Sequence, residues 1–163
     1  METHALVVLG SQIIRWLNSL GQFAPQLGLR LLLAYEFWAS GVQKFKGDNW
    51  FGEIQDNFPI PFNLLPVGLS WFLATWTEIL GSIALVLGLG TRLAVGTLMI
   101  LDVVAWASVH AGHGYNVCQN GFKLPLMYFI MFLPLLLSGP GKASLDHLIA
   151  TGDLPFWQRG KQP

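Results

Sequence analysis

The chain has 163 residues, of which 53% are hydrophobic and only 11% charged, and its nine basic and nine acidic side chains cancel. A soluble domain carries about 25% charged residues, so this depletion, with seven Trp and eleven Phe, points to a small integral membrane protein of one domain. Zero net charge and the lack of any DNA- or RNA-binding motif argue against a nucleic-acid partner.

The N-terminal stretch METHALVVLGSQIIRW lacks the basic start of a secretory signal, since Arg15 follows the apolar run, and it is expected to be retained. Leu6, Leu9, Ile13, Leu17 and Leu20 recur at helical spacing, while Gln12, Arg15, Asn18 and Ser19 fall on other faces. That pattern predicts an amphipathic helix lying in the membrane interface.

Four apolar stretches follow, at about 27–45, 67–89, 92–109 and 124–138. A helix needs ~20 residues to cross the hydrocarbon core, and the last stretch approaches this if Lys123 snorkels. The predicted fold is all-α: an antiparallel bundle of four transmembrane helices with an N-terminal interfacial helix. Residues 1–26 form the interfacial segment, 27–141 the bundle and 142–163 a cytoplasmic tail. Gly88-Leu89-Gly90-Thr91 gives a tight turn, and Gly139-Pro140-Gly141 stops the last span. Ser144 is placed to cap a short helix, 145–149, with Asp146 and His147 exposed, and Leu154-Pro155-Phe156-Trp157 reads as an interfacial anchor.

The loop GDNWFGEIQDNFPIPFNLLP mixes Trp50, Phe51, Phe58 and Phe62 with three acids and three prolines. It reads either as a cap across the mouth of the bundle or as a plain aromatic interfacial loop. With both termini inside, Arg15, Arg92, Lys142, Arg159 and Lys161 lie on the cytoplasmic side and Lys44, Lys46 and Lys123 opposite, which favours this orientation.

Glu36, Glu78 and Asp102 lie near the middle of three of the spans. At ~1.5 Å per residue each is ~14–17 Å from its interface. A carboxylate at that depth costs at least ~2.5–3.5 kcal/mol on insertion scales, so it is turned inward and given a partner or a task. Three ionised carboxylates in one low-dielectric cluster are untenable without cations or a bound proton. Arg30 and Lys44 are the cations at hand. Glu78 is expected to face Glu36 or Arg30, with Thr75 and Ser82 on its helical face to hydrogen-bond it.

If the third helix continues far enough, Asp102, His110 and His113 form a polar line to the outer surface, suited to a proton relay or a quinone head group. His110, His113 and Cys118 also form H-x2-H-x4-C, a candidate copper or zinc ligand set that falls short of a closed four-ligand site. No metal is therefore expected from this chain alone. One cysteine forms no disulfide within the chain. Nucleotide-binding and hydrolase motifs are missing. Trp106, with Trp71, Trp76, Phe37 and Trp38, reads as packing or belt, or as one wall of a planar-ring site.

The segments LRLLLAYEFWASGVQKF, TEILGSIALVLGLGTRLA, VVAWASVHAGHGYNVCQNGFKLPLMYF and LLLSGPGKASLDHL together make the chain resemble the DoxX family, with its HvfX-like branch nearest. The combined spacing of Gly41-x2-Lys44, Glu78-x2-Gly81, Thr91-Arg92 and Ser138-Gly-Pro-Gly carries the likeness, from about Leu29 to Leu148. The resemblance implies a four-helix protein of the bacterial inner membrane. The family takes its name from membrane subunits of a thiosulfate:quinone oxidoreductase, and other members are linked to thiol or oxidant stress. HvfX-like members accompany metal-responsive, Cys-rich secreted peptides. An acidic residue often follows the Gly-Phe that opens the family's last helix; here it is Lys123.

The expected function is a quinone-linked membrane redox subunit accepting electrons from a thiol, sulfur or metal-bearing partner. Glu36, Glu78 and Asp102 would handle protons, His110 or His113 would meet the quinone, and Arg30, Lys44 and Trp106 would help to hold it. The alternative is a non-catalytic membrane partner or transport subunit in copper or oxidant-stress handling. Expected partners are the bilayer, a protein at the periplasmic face and a second copy of the chain.

Overall fold

In the computed structural model, residues 2–152 are described, with the backbone alone for 2–9. The described residues are helical and contain no strand. Helix α1 spans Glu2–Gly21 and α2 Ala24–Lys46. Helix α3 spans Val67–Leu87 and α4 Thr91–Ala105, the latter continuing as a π-helical turn over Trp106–His110. Helix α5 spans Lys123–Ser138 and α6 Leu145–Thr151. The expected Leu154–Trp157 anchor lies outside the described residues.

Helices α2, α3, α5 and α6 each end at a glycine that follows the run, whereas α4 ends in its π-helical turn. Helix α3 starts directly after Pro66 and stops at Gly88, whose φ of +66° is the left-handed conformation that closes a helix. Two helices are long and apolar enough to cross a membrane, Val67–Leu87 and Thr91–His110. Helix α2 is long enough but carries Arg30, Glu36, Lys44 and Lys46, and α5 is apolar but only 16 residues long.

Helix α2 packs against α3 and α5, and α4 against the same two, so α3 and α5 lie between α2 and α4. Leu33, Phe37, Leu85, Val95, Leu98, Phe132 and Leu135 fill the space between them. The outward faces stay apolar: Leu31, Tyr35, Phe72, Leu80, Leu93 and Ile130 are exposed, as expected of side chains meant to meet lipid. Gly41 lets α2 and α3 come close, for a Cβ there would lie 2.9 Å from Ile79 Cγ1 and 3.0 Å from Glu78 Cβ. Gly81 does the same for α3 and α4 against Leu98.

At the end of the molecule holding the Gly88–Gly90 turn, Arg30 is buried to 1% exposure. Its Nε donates to Leu85 O at 2.7 Å and its Nη2 to Val86 O at 2.8 Å. Its Nη1 donates to Ala143 O at 2.7 Å and Pro140 O at 3.3 Å. The last carbonyls of a helix lack the N–H four residues on, so the guanidinium answers Val86 O, adds to the Gly88 N–H at Leu85 O, and ties α2 to α3 and to the α5–α6 link. Ser144 caps α6 as predicted, its Oγ accepting from His147 N. Asp146 departs from expectation. It is half-buried, not exposed, because its carboxylate accepts from Gly90 N at 2.7 Å and Thr91 N at 2.9 Å and so caps α4.

At the opposite end, the loop between α2 and α3 folds into three short 3-10 turns, Phe51–Glu53, Gln55–Asn57 and Phe62–Leu64. Phe51 and Phe58 are buried there with Ala74, against Trp71, Leu101 and Val104. The loop therefore covers α3 and α4 as a cap.

Candidate functional site

Helix α2 carries Glu36, Ser40 and Lys44 at successive four-residue intervals, which places them in one row. The close approach at Gly41 brings that row against Glu78 of α3. Lys44 Nζ lies 2.8 Å from both Oε1 and Oε2 of Glu78. Ser40 Oγ accepts from Lys44 Nζ at 2.8 Å and donates to Glu78 Oε1 at 3.0 Å. One turn deeper on α2, Glu36 Oε2 accepts from Tyr128 OH of α5 at 3.0 Å.

Asp102 comes from α4 and is 4% exposed. Its Oδ2 is buried and has no hydrogen-bond partner. Next on the chain, the π-helical turn begins at Trp106, and such turns recur at functional sites because they re-aim the side chains they carry. His110 closes the turn, with Nδ1 2.7 Å from Asn120 O. A carbonyl only accepts, so Nδ1 carries a proton in this contact and Nε2 is left to face other groups.

These groups converge. A cleft of about 450 Å³ is lined by Glu36, Ser40, Gln43, Lys44, Glu78, Asp102, His110 and Tyr128, together with Trp50 and Leu101. That volume lies in the ~300–1,000 Å³ range of small-molecule sites, and apolar walls with a few convergent polar groups are their usual lining. The cleft offers a cation, three carboxyl groups, two hydroxyls and an imidazole.

The structure thus gathers Glu36, Glu78, Asp102, His110 and Lys44 at one cleft, and sets the other candidates apart. Arg30 lines no part of it, being engaged by the four carbonyls at the other end. Trp106 stacks on Phe122, ring centroids 5.3 Å apart and planes 9° from parallel. His113 is exposed, because the helix ends at His110 and Ala111 is extended at ψ 133°; the expected Asp102–His110–His113 line is broken there. Cys118 is also exposed, and no three His, Cys, Asp or Glu side chains come together as a metal site among the described residues.

Glu78 turns to Lys44, not to Glu36 or Arg30. Thr75 and Ser82 do not reach its carboxylate either. Each donates to the backbone carbonyl four residues earlier, Trp71 O and Glu78 O, the usual local bond of a hydroxyl inside a helix. Ser40 and Tyr128 were missed by the sequence reading. The four-residue spacing of Glu36, Ser40 and Lys44 was the available signal for Ser40.

A family model described as DoxX matches residues 25–111. Two proteins of Haemophilus influenzae (strain Rd) are similar in sequence. One is 48% identical over 133 residues, covering 82% of this chain and 88% of its own length. The other is 34% identical over 143 residues, covering 80% of this chain and 96% of its own. Both are described as uncharacterized proteins, so the likeness brings no activity with it. No solved structure matches the chain.

Proposed function

Because the chain belongs to the DoxX family, we propose that it is a quinone-linked redox subunit of the bacterial inner membrane, built of four spans with both termini in the cytoplasm. The observation that carries this reading is the cleft where Lys44–Glu78, Glu36, Asp102 and His110 converge between apolar walls. A buried pair with an unpartnered carboxyl beside it is costly to keep in a membrane, and such residues mark substrate or proton routes.

The donor set fits a quinone. Lys44 would turn one of its two N–H contacts with Glu78 to a ring carbonyl and keep the other, and Trp50 and Leu101 supply flat and apolar contact. When bound, a quinone would accept two electrons and two protons. In this reading Lys44 orients and polarises a carbonyl oxygen while Glu78 keeps the ammonium in place. Ser40 links the two, so a proton can be passed along Lys44, Ser40 and Glu78 without a change of fold. Asp102, with its free Oδ2, holds or delivers a proton from the other wall. The aromatic cap keeps bulk water off this region, which strengthens each electrostatic contact. Electrons would arrive at the capped end from a thiol, sulfur compound or metal-bearing partner.

The test is lipid extraction from the detergent-purified chain, followed by assay of quinone reduction by a panel of thiol and sulfur donors in proteoliposomes. Co-purified quinone and donor-dependent reduction are expected. Absence of quinone together with no quinone-coupled turnover for any donor overturns the reading.

A further inference from the structure

A second cavity, of about 280 Å³, lies beside the cleft, and Lys44, Trp50 and Glu78 line both. We propose that this chamber takes the isoprenoid tail of the same lipid-soluble carrier, admitted sideways from the bilayer between α3 and α4. The assignment rests on the quinone reading of the cleft.

The chamber's walls come from three elements. Leu73 and Ala74 of α3 face Ile100, Leu101 and Val104 of α4, and Phe51, Phe58 and Phe62 of the capping loop form the roof. Farther along the two helices, one turn past Thr77, α3 and α4 close up where Gly81 meets Leu98. Above that contact the small Ala74 and Ala105 leave the space open.

Two features select the occupant. First, away from its Lys44–Glu78 end the chamber offers little to hydrogen-bond. Thr97 and Ser108 donate to carbonyls of their own helix, Ala94 O and Val104 O, and Ser70 keeps a single unpartnered Oγ. A polar ligand would lose its hydration there without replacement, whereas a hydrocarbon would gain from burial. Second, the wall is open on the outer side. Leu73, Thr97 and Ile100 line the chamber and are also exposed on α3 and α4, the two helices long and apolar enough to span a bilayer. A tail already dissolved in lipid can enter there without meeting water. Its head group then arrives at Lys44–Glu78, because those two residues bound both spaces.

The test uses the full chain in phosphatidylcholine nanodiscs and two probes with the same ring. One is ubiquinone with a two-isoprene tail, and the other is its tail-less ring, 2,3-dimethoxy-5-methylbenzoquinone. Each is titrated against wild type, Ala74→Leu, which fills the chamber, and Thr77→Leu, which narrows its partly exposed wall in case the first variant fails to fold. The tailed quinone is expected to lose about tenfold or more in affinity while the tail-less ring binds as before. Equal losses for both probes, or no loss for the tailed one, overturn the proposal. If neither quinone binds wild type, the quinone reading fails, and the chamber is judged with a diazirine-bearing hexadecanol. Labelling of α3 or α4 that is lost in Ala74→Leu supports a hydrocarbon site. Absence of labelling overturns it.

Discussion

Lys44 and Glu78 form a two-pronged ion pair across the α2–α3 contact, with Nζ 2.8 Å from each carboxylate oxygen and the side chains only 14% and 6% exposed. Breaking one partner of a buried pair leaves a charge without compensation, at a cost of about 3–5 kcal/mol. Lys44→Met should therefore destabilise strongly. Glu78→Gln should cost less, because the amide oxygen still accepts from Lys44 and Ser40. The double variant Lys44→Met/Glu78→Met should recover most of the stability, since two apolar side chains carry no desolvation penalty. Thermal unfolding in detergent gives the order, and a double variant less stable than Lys44→Met alone would contradict it.

Gly41 is the reason the pair can form. A Cβ at this position falls 3.0 Å from Glu78 Cβ and 3.2 Å from Ile79 N, atoms that cannot move without shifting α3. Gly41→Ala should cost about 1–3 kcal/mol by overpacking, and Gly41→Val more. Both should lower quinone affinity although residue 41 lines neither cavity. Unfolding and binding measured on the same preparations check this, and full stability in Gly41→Val would refute it.

Arg30 has a different job. Its guanidinium answers four carbonyls on two separate segments, a fork that an ammonium cannot reproduce. Arg30→Lys should lower the unfolding midpoint and the amount of protein in the membrane. The folded fraction should still bind ligand with wild-type affinity. A selective loss of binding at unchanged stability would place Arg30 at the ligand site after all.

Asp146 gives a pH dependence. Burial pushes its carboxyl upward, but the N–H groups of Thr91 and Gly90 and the charge of Arg30 outweigh this and hold it below the ordinary range. The unfolded chain then binds the proton more readily than the folded one. The stabilisation is present above the unfolded value of about 3.9 and is lost as pH falls through the folded value. Unfolding midpoints from neutral pH down to about 3 should show a loss in wild type that is smaller in Asp146→Asn. An identical acid limb in both would remove Asp146 from the account.

Much of this was written in the sequence, and the gaps have physical causes. Helix positions follow from apolar runs interrupted at Pro66, Gly88, Gly90 and Gly139, which act locally. The burial of Glu78 and Asp102 and the inward turn of the half-buried Glu36 follow from the cost of a carboxylate facing lipid. The Lys44–Glu78 pairing depends on the register of α2 against α3, fixed by a glycine contact that no single-helix pattern reveals. Tyr128 reaches Glu36 only through the rotation of α5. The Asp102–His113 spacing assumed a regular helix, and the π-turn at Trp106–His110 removes that regularity. Asp146 looked solvated because its partners, Gly90 and Thr91, lie more than fifty residues away in sequence.

The most direct measurement is equilibrium binding of a quinone to the purified full chain, compared among wild type, Glu78→Gln and Asp102→Asn at equal folded protein. Both substitutions keep size and shape, so the fold should persist in each. Binding is predicted in wild type, with about tenfold or greater weakening in Glu78→Gln and a measurable loss in Asp102→Asn. No binding in wild type, or unchanged affinity in both variants, would contradict the central claim that this cleft receives the quinone.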